Sequence, residues 1–541
     1  MQQSIVSRVC AVVACWLAMP ALAHVAVTHP VVVTPVGSVR GLESHHVSLF
    51  NGIPFAQPPI GPLRFAPPVS VAPWQGIWDA TYPRSPCPQV TRFGQTDASE
   101  VEDCLYLNIA VPHQVRRSRP SSALKPVIVW LHGGAFVGGS GDIYPLDAFS
   151  REGDVILVSI NYRLGALGFM THPAFDAQHN GSVGLEDQRE ALRWVKNNIA
   201  AFGGDPRNIT VAGESAGAAS VCLQLTAPKE AQGLFQKAIV QSIGCALKVP
   251  SVEVANEVGL KVAALLHCDD SAQALECLRH ASVRALLDAS VEVSASMAGA
   301  FRPSVGAISV PQQPVTALEK GEFIQVPMIN GGNQDELRLY VGYEVAGGAS
   351  ITAESYIGRL ASTYGDFAER IAVRYPVSHY SSAAAAVGRV QSDFTPGNSL
   401  NNCIFLESAH WLSQKTHVYE YEFTDAEAPP VMDNPGFEMG AVHSAELPYF
   451  YPHVSYNQRR DGPDVVASSQ ALSHQMIAYW SQFAYTGNPN RRGLPTWPVF
   501  KTSHDVLRLD PRHVGPFDAA SAHQCAFWQG LYPEALRRAA H

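Results

Sequence analysis

The chain has 541 residues, 46% of them apolar and 16% charged, with a formal net charge of −9 at pH 7. Mild acidity without basic runs argues against nucleic acid or an anionic membrane surface as partner, and after residue 23 no apolar stretch reaches the eighteen or so residues of a membrane span. C-x-x-C, H-E-x-x-H and the phosphate-binding lysine loop are absent, so no cofactor and no metal are expected.

Residues 1–23 read as a secretory signal: Arg8 is the sole charge, an apolar run follows from Val9 to Met19, and Ala21-Leu22-Ala23 offers a small-residue cleavage site. The alternative, a lipid attached at Cys15, leaves almost no apolar core between Arg8 and the cysteine. The expectation is a chain cleaved after Ala23 and secreted or periplasmic, with residues 24–541 as a single domain. Eight cysteines remain after cleavage, an even number that in an exported chain favours disulfides.

From Val25 to Phe55, β-branched residues alternate with Gly and Pro, as in edge hairpins. Gly52 to Pro68 holds six prolines and cannot be helical; the interleaved Phe55, Leu63 and Phe65 predict an ordered wrap rather than a linker. Cys87 and Cys104 bracket sixteen residues, after which Cys104-Leu-Tyr-Leu-Asn-Ile-Ala-Val begins a strand. Val127 to Leu131 is a continuous apolar run, as in a strand buried on both faces, and leads into His132-Gly-Gly-Ala-Phe136, whose small residues free backbone N–H groups to face a ligand. Val155 to Asn161 is a second such strand.

From Gly184, Leu185, Leu192, Val195 and Ile199 share one helical face, and Phe202-Gly203-Gly204 stops the helix. Gly203 to Pro206 reads as a loop, and Ile209 to Ala212 as the strand after it. Then comes Val211-Ala-Gly-Glu-Ser-Ala-Gly217, followed by an apolar segment of helical character to Leu223, and Lys237 to Ser242 is the next strand. Glycines on both sides of Ser215 allow a turn too crowded for any Cβ, leaving the hydroxyl exposed at a strand end. A serine so placed is a nucleophile only if the chain also supplies a base, an acid to orient it and donors for an oxyanion. Strand, helix and strand in succession predict an α/β class, with a mostly parallel sheet covered on both faces.

Five stretches together resemble the type-B carboxylesterase and cholinesterase family of α/β-hydrolases: the proline-rich segment to Phe65, Glu102 to Ile109, Trp130 to Phe136, Asn161 to Phe169, and Phe202 to Gly217. The resemblance runs from about Val33 to Trp528. It implies the α/β-hydrolase fold, helical insertions at about 251–323 and 345–411 that wall the substrate pocket, and a triad in the order serine, acid, histidine. Asn333-Gln-Asp-Glu-Leu337 is similar to the family's acid motif and makes Glu336 the acid; Leu337 replaces the family's glycine, which keeps Asp335 as an alternative. Gly440-Ala-Val-His-Ser-Ala-Glu-Leu447 is similar to the histidine loop and makes His443 the base. The resemblance also implies oxyanion donors at the N–H groups of Gly134, Ala135 and Ala216. It places Glu214 and Glu446 near the site, either tuning the histidine or, as the preferred reading, holding buried loops.

The family's disulfide frame carries over as Cys87 with Cys104, Cys268 with Cys277, and Cys403 with Cys525, leaving Cys222 and Cys245 unassigned. The implied activity is hydrolysis of small-molecule carboxylic esters, aryl or with short to medium acyl groups. A cholinesterase is disfavoured because the stretch 88–103 holds no tryptophan for cation–π binding of a quaternary ammonium, only Phe93. A lipase, a feruloyl esterase, a serine peptidase and a binding protein on the same fold are the alternatives. Asn180-Gly-Ser and Asn208-Ile-Thr are glycosylation sequons that only a eukaryotic secretory host uses.

Overall fold

In the computed structural model, which describes residues 29–44, 46–91, 97–113, 123–297, 299–454 and 464–540, the apolar runs of the middle chain become a parallel sheet. The expected signal segment lies outside the described residues. Among the described residues, two sheets contain fourteen strands, β1 to β14 in chain order. The small sheet joins β1 (Val31–Thr34), β2 (Gly37–Arg40) and β5 (Ile77–Asp79).

The large sheet runs β14-β13-β12-β11-β10-β9-β7-β8-β6-β4-β3. Its one side holds β3 (Leu42–Glu43), β4 (Val47–Pro54) and β6 (Tyr106–Pro112), all antiparallel to their neighbours, the first two within the segment whose pattern predicts hairpins. Seven strands then run parallel: β8 (Ile156–Ile160), β7 (Lys125–Leu131), β9 (Gly204–Glu214), β10 (Lys237–Gln241), β11 (Met328–Asn333), β12 (Val418–Phe423) and β13 (Val506–Leu509). The antiparallel β14 (Gly515–Phe517) closes the far edge. This is the α/β-hydrolase architecture.

Val127–Leu131 of β7 reads as an unbroken apolar run because the strand's two faces serve different cores. Val127, Val129 and Leu131 of β7 pack with the helices Val183–Asn198 and Ala216–Leu225. Ile128 and Trp130 face the opposite way, toward the helix Gln470–Thr486. Leu185, Leu192, Val195 and Ile199 are all 0% exposed, as their spacing predicts. Cutting one of them to alanine is a loss of about 2–5 kcal/mol.

The proline-rich wrap is ordered, with Phe55 and Phe65 buried and a single 3-10 turn at Gly61–Leu63. Gly203 to Pro206 is not a free loop, however. Gly204 pairs with Lys125, and the register then shifts so that Val127 faces Ile209. The glycine and proline that suggest a break instead produce an irregularity inside β9, where the unpaired residues swing out of the ladder. The sequon asparagine Asn180 is buried and donates to the His172 carbonyl.

Four disulfides brace the fold: Cys87–Cys104, Cys222–Cys245, Cys268–Cys277 and Cys403–Cys525. The second joins the two cysteines that the family frame leaves unassigned. It ties the helix after Ser215 to the loop after β10. Cys403–Cys525 spans 122 residues of sequence, and on chain-entropy grounds is worth about 5 kcal/mol. No described helix is long and apolar enough to cross a membrane.

Candidate active site

Three strand ends on one edge of the sheet bring the candidate residues together. β9 ends at Glu214, and Ser215 follows with φ 57° and ψ −122°, a strained conformation held by its N–H bond to the Gln241 carbonyl at 3.0 Å. A Cβ on Gly217 would lie 1.9 Å from the Leu131 carbonyl oxygen, and one on Gly213 would lie 2.5 Å from the backbone of Gly217. Only glycine lets β7, β9 and the following helix approach this closely.

The loop after β11 delivers Glu336, 0% exposed, and the Gly440–Leu447 segment delivers His443. His443 Nε2 lies 2.9 Å from Ser215 Oγ, and Nδ1 lies 2.7 Å from Glu336 Oε2. The other oxygen of Glu336 accepts the Asn333 N–H at 2.7 Å, which fixes the carboxylate. Asp335 faces elsewhere: it pairs with Arg338 at 2.8 Å and accepts the N–H of Ala441 at 3.3 Å, so it anchors the histidine loop without touching the imidazole. Leu337 has φ −82°, a conformation open to any residue, which is why the family's glycine is dispensable here.

Glu214 and Glu446 are both buried but differ in their contacts. Glu214 accepts the Ser444 hydroxyl at 2.6 Å and lies 3.3 Å from His443 Nε2. Glu446 holds Gln241 at 3.1 Å and Asn333 at 2.7 Å, and so ties the ends of β10 and β11 to the histidine loop. Burial, together with the charges of Glu214 and Glu336, pushes the Glu446 carboxyl up to about 8. Burial also raises Glu214, against the pull of His443. For His443 burial opposes the charged form, but Glu214 and Glu336 outweigh it and lift the imidazole to about 9.

The His132–Phe136 loop sits opposite. His132 is stacked on Tyr162 at 4.3 Å, and burial holds it neutral, down to about 4. Gly134 and Ala135 have φ of 110° and 54°, in the left-handed region. Among the described residues, the N–H groups of Gly134, Ala135 and Ala216 donate no hydrogen bond. Cavities open on two sides of Ser215. The larger, about 720 Å³, is lined by Ala135, Ala216, Leu223, Leu247 and Leu400 among others; the smaller, about 40 Å³, by Gly134, Tyr144, Glu214, Tyr340 and His443.

The carboxylesterase family model matches residues 28–528. The chain belongs to the carboxylesterase family. It is 31% identical to para-nitrobenzyl esterase of Bacillus subtilis (strain 168), over 89% of this chain and 95% of that protein. To acylcarnitine hydrolase of Mus musculus it is 33% identical, over 94% and 92%. The solved structure of a thermophilic PNB esterase superposes with a TM-score of 0.75 at 29% identity, over 92% of this chain and all of that one. This carboxylesterase is accordingly a carboxylic-ester hydrolase.

Asn333, Gln241 and Ser444 escape sequence reasoning as site residues, although they hold Glu336, Glu446 and Glu214. Asn333 opens the acid motif, which is the one signal that points to it. Ser444 likewise follows His443 in the histidine motif, whereas Gln241 carries no comparable mark because its partner Glu446 lies about two hundred positions away.

Proposed function

We propose that this carboxylesterase is an exported serine esterase whose single domain, residues 24–541, works through Ser215, His443 and Glu336. Ser215 Oγ attacks the ester carbonyl while His443 Nε2 takes its proton and Glu336 holds the Nδ1–H and stabilises the imidazolium. The N–H groups of Gly134, Ala135 and Ala216 bind the tetrahedral oxyanion, each worth about 3–4 kcal/mol. The C–O bond then breaks, His443 gives its proton to the leaving alkoxide, and an acyl-serine remains. Water attacks that acyl carbonyl with His443 again as base, and the acid departs.

One observation carries the reading: a single imidazole bridges Ser215 Oγ at 2.9 Å and a buried carboxylate at 2.7 Å. The apolar lining of the larger cavity supports aryl or short to medium acyl esters as substrates. Export is supported by the four disulfides. Ser215→Ala tests the mechanism directly. Turnover of 4-nitrophenyl butyrate should fall roughly a million-fold if the three residues act as a unit, and near-normal hydrolysis by that variant refutes the assignment.

A further inference from the structure

The two cavities beside Ser215 differ in charge: the smaller holds an imidazole paired with one carboxylate, the larger cations alone. His443 and Glu214 line the smaller one, and no other carboxylate does among the described residues. The larger is lined by two cations, Lys248 and Arg302, and by no described carboxylate. This runs against the grain of a chain with 47 acidic and 38 basic residues. Both cations are exposed, and neither has a carboxylate partner among the described residues. They come from separate loops, one after β10 and one after the helix Val283–Ser296, yet meet the same cavity as the nucleophile.

The reaction fixes which half of the ester enters which cavity. The leaving alkoxide takes its proton from His443, so the alcohol lies on the side of the smaller cavity. The acyl chain therefore extends into the larger cavity, past Leu247 and Leu223, toward Lys248 and Arg302. An acyl group that ends in a carboxylate meets two cations there, whereas one that ends in an ammonium is repelled.

Resting on the serine-esterase reading above, we infer that Lys248 and Arg302 select esters whose acyl chain ends in a carboxylate, the half-esters of dicarboxylic acids. They act on specificity and not on the chemical step. Partly exposed ion pairs of this kind are each worth about 2- to 5-fold in affinity, so the pair should contribute roughly tenfold.

The test compares kcat/KM for monoethyl adipate and monoethyl suberate with that for the ethyl esters of 6-aminohexanoic and 8-aminooctanoic acids, by ethanol release. The full chain should prefer the carboxylate member of each matched pair, and 0.5 M NaCl should narrow the preference. The double substitution Lys248→Gln with Arg302→Gln should cut the carboxylate-to-ammonium ratio about tenfold, while Lys248→Arg with Arg302→Lys keeps it. Equal rates for both members in the full chain, or a ratio untouched by the double substitution, overturns the charge selectivity alone. Hydrolysis of none of the four esters, by protein that also fails on 4-nitrophenyl butyrate, overturns the serine-esterase reading and this inference with it.

Discussion

Two buried histidines, His443 and His523, each stand between two carboxylates, and in each the carboxylates outweigh burial and lift the imidazole to about 9. His443 has Glu336 on Nδ1, with Glu214 and the Ser215 hydroxyl near Nε2. His523 has Asp393 on Nδ1 at 2.6 Å and Glu422 on Nε2, and Arg389 Nη2 approaches Nδ1 at 3.2 Å. Asp393 also accepts the Tyr375 hydroxyl and pairs with Arg389. Both ring nitrogens of His523 are thus occupied by acids, and among the described residues no hydroxyl competes for either. A raised, carboxylate-flanked imidazole does not by itself make a base; a free edge, a nucleophile within reach and a cavity beside it do.

Substitutions separate the two roles, and the largest effect is expected at His443. His443→Gln should lower kcat roughly a million-fold. Glu336→Gln should keep the geometry but favour the wrong tautomer, a loss of about ten-thousand-fold in kcat. His523→Gln should instead destabilise the fold by about 3–5 kcal/mol because it leaves Glu422 buried without its cation, with turnover per folded molecule little changed. Urea unfolding beside initial rates on one preparation checks all three.

Acidity sharpens the contrast further. The folded imidazole of His523 titrates above its ordinary value of 6.5, so its stabilisation is whole below that pH and is lost as pH rises through about 9. Urea midpoints of the native chain should fall over that range, and His523→Gln should lack this share of the fall. At His443 the same upward shift appears as a rate effect. On the proposed mechanism the neutral imidazole is the base, so kcat/KM should rise with pH toward about 9. Glu214→Gln removes an attraction that favours the protonated form and should move this acid limb to lower pH, the smallest of these effects.

The two sites also differ in how much of them can be read from the residues. Ser215 lies in a short segment whose local shape is itself demanding, and Gly213 and Gly217 mark the crowding around it directly, whereas Glu336 and His443 are legible only through motifs that resemble the family's. The runs of β7 and β8 are equally plain, since burial on both faces favours apolar residues, but β11 and β12 carry Asn, Gly and Glu and give no such signal. His523 is one of twenty histidines, and Asp393 and Glu422 lie more than a hundred positions before it, with no spacing that announces contact. Cys222 and Cys245 pair for a reason visible only once the helix after Ser215 packs beside β10. Gly204 and Pro206 mislead because the same residues suit a loop and an irregular strand.

The account rests on activation of one hydroxyl by one of these two histidines. A fluorophosphonate probe followed by peptide mass mapping measures that directly. The adduct should fall on Ser215, form at an undiminished rate in His523→Gln, and be nearly lost in His443→Gln. An adduct on another residue, or equal labelling in His443→Gln, would contradict the account.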